Sequence, residues 1–159
     1  VTIPEIFEKQ VRSILKNVAD LRKFVTATDV YFSESTSFLK NMMEKTGVEY
    51  NTDIENLRLP FHDEDLGYTF TKLISLLMEY QRSQDFLKQH LAEFDVQTAR
   101  QLAAVFEKEE SSQTRNKVIN EVVENLESLV EEKQVMIEQT REIEVNIKRL
   151  ETRLSAYFN

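Results

Sequence analysis

Apolar side chains return every three or four residues along most of this chain. Phe7, Val11, Ile14, Val18, Leu21 and Val25 are separated by steps of 4, 3, 4, 3 and 4, the spacing that lines one face of an α-helix and requires another surface to cover it. Ahead of them, VTIPEIFEKQ reads as a helix start. Thr2 can cap, Pro4 fits the first turn, and Glu5 completes a Thr-x-x-Glu capping box. In TATDVYFSESTS, residues 26–37, hydroxyl side chains blur the stripe before Phe38, Leu39, Met42 and Met43 restore it. A kink is expected there. Gly47 is the stop, because glycine takes the left-handed conformation that closes a helix.

Residues 47–62, GVEYNTDIENLRLPFH, lose the rhythm and read as a linker, with room for a short helical turn at DIENL. Pro60 biases Leu59 away from helix. Asp63, Glu64 and Asp65 then put negative charge where a helix N-terminus favours it. A second stripe follows at Leu66, Phe70, Leu73, Leu77, Tyr80, Gln84, Leu87, Leu91 and Phe94, with Gln84 its one polar member. It continues through Thr98, Leu102 and Val105 after a small slip of phase.

The third stripe is the most regular. Ile119, Val122, Leu126, Leu129, Lys133, Met136, Thr140, Ile143, Ile147, Leu150, Leu154 and Tyr157 alternate steps of three and four, and ten of the twelve are apolar. That is coiled-coil periodicity, and its apolar members are the candidate self-association seam.

Between the second and third stripes, EKEESSQTRNK (107–117) holds no apolar side chain. One helix over 63–158 would be about 144 Å long at 1.5 Å per residue, and its seam would pass Glu109, Ser112 and Asn116 with nothing to bury. Folding back at this polar tip, with Ser111 or Ser112 capping, gives three helices of similar length, as an up-down-up bundle requires. Against the fold-back, neither Gly nor Pro marks the turn. The preferred fold class is all-α: a single elongated three-helix antiparallel coiled-coil bundle, with helices at about 3–46, 63–108 and 112–158, assembling as a dimer.

Composition agrees. Of 159 residues only two are Gly and two Pro, all within the first 67, too few for the turns of a sheet protein. The absence of cysteine excludes thiolate chemistry and disulfides and suits a cytoplasmic setting. No apolar run approaches a membrane span. The first residue is Val rather than Met, which suggests a processed chain or a fragment of a larger protein. Basic and acidic residues number 8 and 9 over 1–60, 4 and 7 over 61–106, and 8 and 12 over 107–159. With no basic excess anywhere, nucleic acid is an unfavoured partner.

Candidate chemistry is sparse. His62 and His90 are too few and too separated for a metal cluster or a catalytic triad, and HDEDLGYTF fails the alternating ligand spacing of a calcium loop. There is no phosphate loop and no HExxH. Neither His has a Glu three residues before it, as a di-metal bundle would need. No catalytic residue, cofactor or metal is assigned, and the chain is not expected to be an enzyme.

Charge along the third helix is graded. Glu121, Glu124, Glu127, Glu131 and Glu132 fill its first half, whereas Arg141, Lys148, Arg149 and Arg153 fall in its second. Two copies crossing antiparallel near Met136 would set acidic halves against basic ones, so a homodimer is expected. The four basic residues are candidates for the dimer contact or for an anionic partner.

In outline, with FTKLISLLMEYQRSQDFLKQHLAEFDVQTARQLAAVFEKEE carrying the likeness through its spaced Phe and Leu residues, the chain resembles BAR-type domains. The resemblance implies an elongated dimeric helical bundle that contacts membranes peripherally in trafficking. The chain departs from that family in being shorter and in having no clustered Lys/Arg surface. The reading from the residues themselves is a non-enzymatic scaffold that binds protein partners. A membrane-curvature module is the alternative, and a metal-binding helical enzyme a remote third.

Overall fold

The computed structural model of the chain describes residues 5–47, 64–107 and 112–158. Among them are three helices and no strand: α1 (Glu5–Lys45), α2 (Glu64–Glu107) and α3 (Ser112–Phe158). They have 41, 44 and 47 residues, within one or two residues per end of the expected spans, which is the ordinary scatter of helix boundaries. The Thr2 capping box, the linker past Gly47 and the tip residues 108–111 lie outside the described residues.

Gly47 ends α1 as expected. Its φ is 76°, and its N–H donates to the Glu44 carbonyl at 3.1 Å, the closing bond of a helix whose next residue has turned left-handed. Thr46 reinforces the end, its hydroxyl donating to the Met42 and Met43 carbonyls at 3.0 Å. Through 26–37, where the sequence suggests a kink, α1 stays helical without interruption. The stripe there persists in polar letters: Thr28 and Ser35 are 2% and 5% exposed, at the spacing that carries Leu21 on to Leu39.

The chain divides into two compact units. The first comprises Val1–Ala27 and Asp85–Gln134. Its core takes Ile14, Val18 and Leu21 from α1, Leu87, Leu91 and Phe94 from α2, and Ile119, Val122, Leu126 and Leu129 from α3. Arg22 Nη2 meets Asp95 Oδ2 at 2.7 Å. Lys133, a polar member of the third stripe, is half-buried and sets its ammonium 5.3 Å from the centre of the Phe24 ring, where the ring's negative face attracts it.

The second unit comprises Thr28–Gln84 and Val135–Asn159. Between Leu66 and Tyr80 the buried stripe of α2 widens to include Thr69, Ile74 and Leu76 as well as the expected seam, so this stretch is covered on more than one side. Leu39 and Met43 of α1 and Met136, Ile143, Leu150 and Leu154 of α3 complete the core. The Gln139 amide donates to Ser83 Oγ at 3.1 Å, and Arg153 Nε to Asp65 Oδ2 at 2.8 Å. Side chains of α2 and α3 therefore meet, which one continuous rod over 63–158 would not allow.

Candidate functional site

All twelve positions of the second stripe, Leu66 through Val105, are buried. Of the third, Ile119, Val122, Leu126, Leu129, Met136, Ile143, Leu150 and Leu154 are buried, while Lys133, Thr140 and Ile147 are half-buried. The side chain of Tyr157 lies outside the described residues. Beside half-buried Ile147, the neighbouring Asn146 is buried, at 7% exposed. All this burial is within one chain. What α3 leaves to solvent is Val130, Val135 and Val145, at 38%, 47% and 57% exposed.

The polar interruptions of the stripes collect in the second unit. Gln84 is buried, and its Nε2 donates to Thr28 Oγ1 at 3.1 Å and to Asp29 Oδ1 at 2.7 Å. The Tyr31 hydroxyl donates to Glu144 Oε1 at 2.9 Å and lies 3.4 Å from the Thr140 carbonyl. Its ring meets that of Tyr80 edge-on at 5.6 Å, and Phe32 stacks on Tyr80 at 6.4 Å. Burial, then the hydrogen bond and charge of Glu144, push the Tyr31 hydroxyl well above the ordinary phenol range. Burial also raises Tyr80, with a smaller opposing contribution from a hydrogen bond to Thr140. Chemically these groups face one another: Gln84 and Tyr31 donate to acceptors across the core, and burial favours the protonated phenols. The sequence flagged Gln84 and Thr140 singly. The signal that unites them with Thr28 and Ser35 is the unbroken three-four count through the hydroxyl-rich stretch.

Asn146 differs. Its Nδ2 donates to the Glu142 carbonyl at 2.9 Å, but its Oδ1 is buried without a hydrogen-bond partner among the described residues.

The four basic candidates do not converge. Arg141 pairs with Glu138 on its own helix at 2.6 Å, with both side chains exposed, and Arg153 is taken by Asp65. Lys148 and Arg149 are exposed. On the acidic half of α3, Glu121, Glu124, Glu127 and Glu131 are exposed and Glu132 is half-buried.

Two grooves open in the first unit. One, of about 580 Å³, runs between α1 and α3, with Ile14 and Leu126 among its apolar lining and Gln10, Ser13, Asn17 and Asn120 among its polar lining. The other, of about 270 Å³, lies between α2 and α3 and is lined by Phe86, His90, Glu93, Phe94 and Leu129, among others. His90, isolated in sequence, has its ring 4.1 Å from that of Phe86 and its Nδ1 3.3 Å from Glu93 Oε2. Among the described residues, no cluster of three or more His, Cys, Asp or Glu could hold a metal, and no helix is long and apolar enough to cross a membrane. His62 and Asp63 lie outside those residues. Comparison with protein-family models, with curated proteins and with solved structures found no match for the chain.

Proposed function

We propose that the chain is a non-enzymatic helical scaffold that self-associates through α3 and presents its outer faces to protein partners. The observation that carries this reading is the division of labour on α3. Its seam is consumed inside the chain, yet three valines stand in water, with Glu127 and Glu131 beside Val130 and with Arg141, Lys148 and Arg149 beside Val145, a surface suited to another helix rather than to a small molecule. An antiparallel packing of the helices accords with the pairs in the second unit. Asp29 with Gln84 and Phe32 with Tyr80, then Ser83 with Gln139 and Asp65 with Arg153, run in opposite numerical directions.

Sedimentation with mass determination tests the reading. Twice the chain mass is expected, falling to one chain for Val145→Asp, because a carboxylate in a dry helix contact loses its hydration without gaining a partner, while the helicity is kept because Val145 is exposed in the single chain. A single-chain mass for the unaltered protein, or an unchanged mass in Val145→Asp, refutes it.

A membrane-binding module of BAR type is the second reading, favoured by Arg141, Lys148 and Arg149 flanking exposed Val145. It expects binding to anionic vesicles at low salt that vanishes when these residues and Arg153 become Glu. Absence of vesicle binding at low salt leaves the scaffold.

A further inference from the structure

We infer that the groove between α1 and α3 in the first unit is the docking site for the basic half of α3 from a second copy, an inference that rests on the self-association just proposed. The groove supplies two matched properties. Its apolar lining includes Ile14, Leu126, Val123 and Val130, and Val130 keeps 38% of its surface in water. Its only charged lining residues are Glu127 and Glu131; the contribution from α1 is uncharged.

Those two carboxylates stand four residues apart on one helix face, with Glu124 one turn before them, and none of the three has an ion pair among the described residues. Like charges at that spacing repel, and nothing in the described chain relieves them.

The complementary surface is on α3 itself. Val145, at 57% exposed, is flanked by Arg141 four residues before it, Lys148 three after and Arg149 four after. Lys148 and Arg149 have no ion pair among the described residues, and Arg141 has only the exposed Glu138 of its own helix. Here an exposed apolar side chain has cations at three of its four neighbouring helix positions, Arg141, Lys148 and Arg149, with Glu142 at the fourth, where the groove is apolar with carboxylates alone for charge.

The sequence also offers a register. With a second α3 running the opposite way and the two centred on Met136, Glu131 faces Arg141, Glu124 faces Lys148, and Val145 falls opposite Glu127, within the turn that carries Val130. A two-fold axis makes each contact twice, since each copy carries both the groove and the row that fills it.

The symmetry gives a rescue experiment. Two full-length variants, Glu124→Lys/Glu131→Lys and Arg141→Glu/Lys148→Glu, each set like signs against one another at both facing pairs, so each alone loses dimer affinity by roughly tenfold or more at low salt. Mixed in equal amounts, they again have opposite signs at both contacts, and the mass of two chains returns. That recovery also shows both variants folded. Unaltered affinity in either variant, or a mixture that stays at one chain, overturns the docking site while leaving self-association standing. A monomeric unaltered protein overturns both. An unaltered protein that stays monomeric yet binds a synthetic basic amphipathic helix assigns the groove to a different protein and likewise overturns the inference.

Discussion

Truncating Gln84 asks whether the buried polar layer holds the second unit together or only fills it. Gln84→Ala removes the donor to Thr28 Oγ1 and to Asp29 Oδ1, and Thr28, at 2% exposed, cannot turn to water instead. A neutral hydrogen bond contributes about 0.5–1.5 kcal/mol net and one to a carboxylate about 1.5–3 kcal/mol. Asp29 is exposed and recovers part of its share from solvent, whereas the space vacated by the side chain adds to the loss. The expected destabilisation is about 2–4 kcal/mol, a fall in Tm of roughly 5–15 °C for a chain of this size. Urea unfolding followed by circular dichroism measures it. A double-mutant cycle with Asp29→Ala isolates the stronger bond, with a coupling of about 1–2 kcal/mol expected. In contrast, Gln84→Leu combined with Thr28→Val removes both polar partners together and stays within about 1 kcal/mol of the unaltered protein. A loss below about 0.5 kcal/mol in Gln84→Ala, or a coupling indistinguishable from zero, refutes the reasoning.

Asn146→Leu is expected to act in the opposite direction, raising stability by about 1–2 kcal/mol, because its buried Oδ1 has no partner and an apolar side chain suits a seam position; a lower urea midpoint contradicts this. High pH is expected to weaken the second unit. The Tyr31 and Tyr80 hydroxyls are raised above an ordinary phenol, so their contribution is complete below about pH 10, the unfolded value, and is lost as pH rises toward the folded one. Tyr31→Phe flattens that decline, and phenolate absorbance shows both tyrosines titrating late; an unchanged slope in Tyr31→Phe sinks the account. Arg153→Ala is expected to cost no more than about 1 kcal/mol, since both members of its pair with Asp65 are about half exposed; a larger loss by the same urea assay means that the pair is not the exposed one described.

Much of the fold is legible because a helix seam is a counting rule. Every position named on the second stripe is buried, and of the described third-stripe positions only Lys133, Thr140 and Ile147 are half-buried, with Asn146 buried beside Ile147. The hydroxyl-rich stretch of α1 hides its seam because polar side chains carry the count there. Thr28 and Ser35 hold seam positions with polar side chains, a choice that depends on what Gln84 and Tyr31 reach across the core and that no local pattern encodes. Likewise the third seam reads as a surface for a second chain, since periodicity says that a face must be covered and not by whom. The grooves were illegible for a related reason: a concavity forms where two helices diverge, and α1 alone does not contain the outline of α3.

The polar layer has a consequence for assembly that an all-apolar core would lack. Sliding one helix along another by a heptad returns leucine against leucine, so an apolar seam discriminates weakly between registers. The same slide parts Gln84 from Thr28 and Asp29, Ser83 from Gln139 and Tyr31 from Glu144, and each group so stranded in the core carries a desolvation cost of about 1–3 kcal/mol. Together these bonds select one axial alignment in the second unit at some expense in stability relative to hydrocarbon, which is the best-attested use of buried polar groups in helical assemblies. The row from Arg141 to Arg149 lies on α3 of that same unit, so these bonds also fix where Val145 and its flanking cations stand against α1 and α2. The register between two copies of α3 is set separately, by the constant rise that separates Glu124, Glu131, Arg141 and Lys148 along one helix.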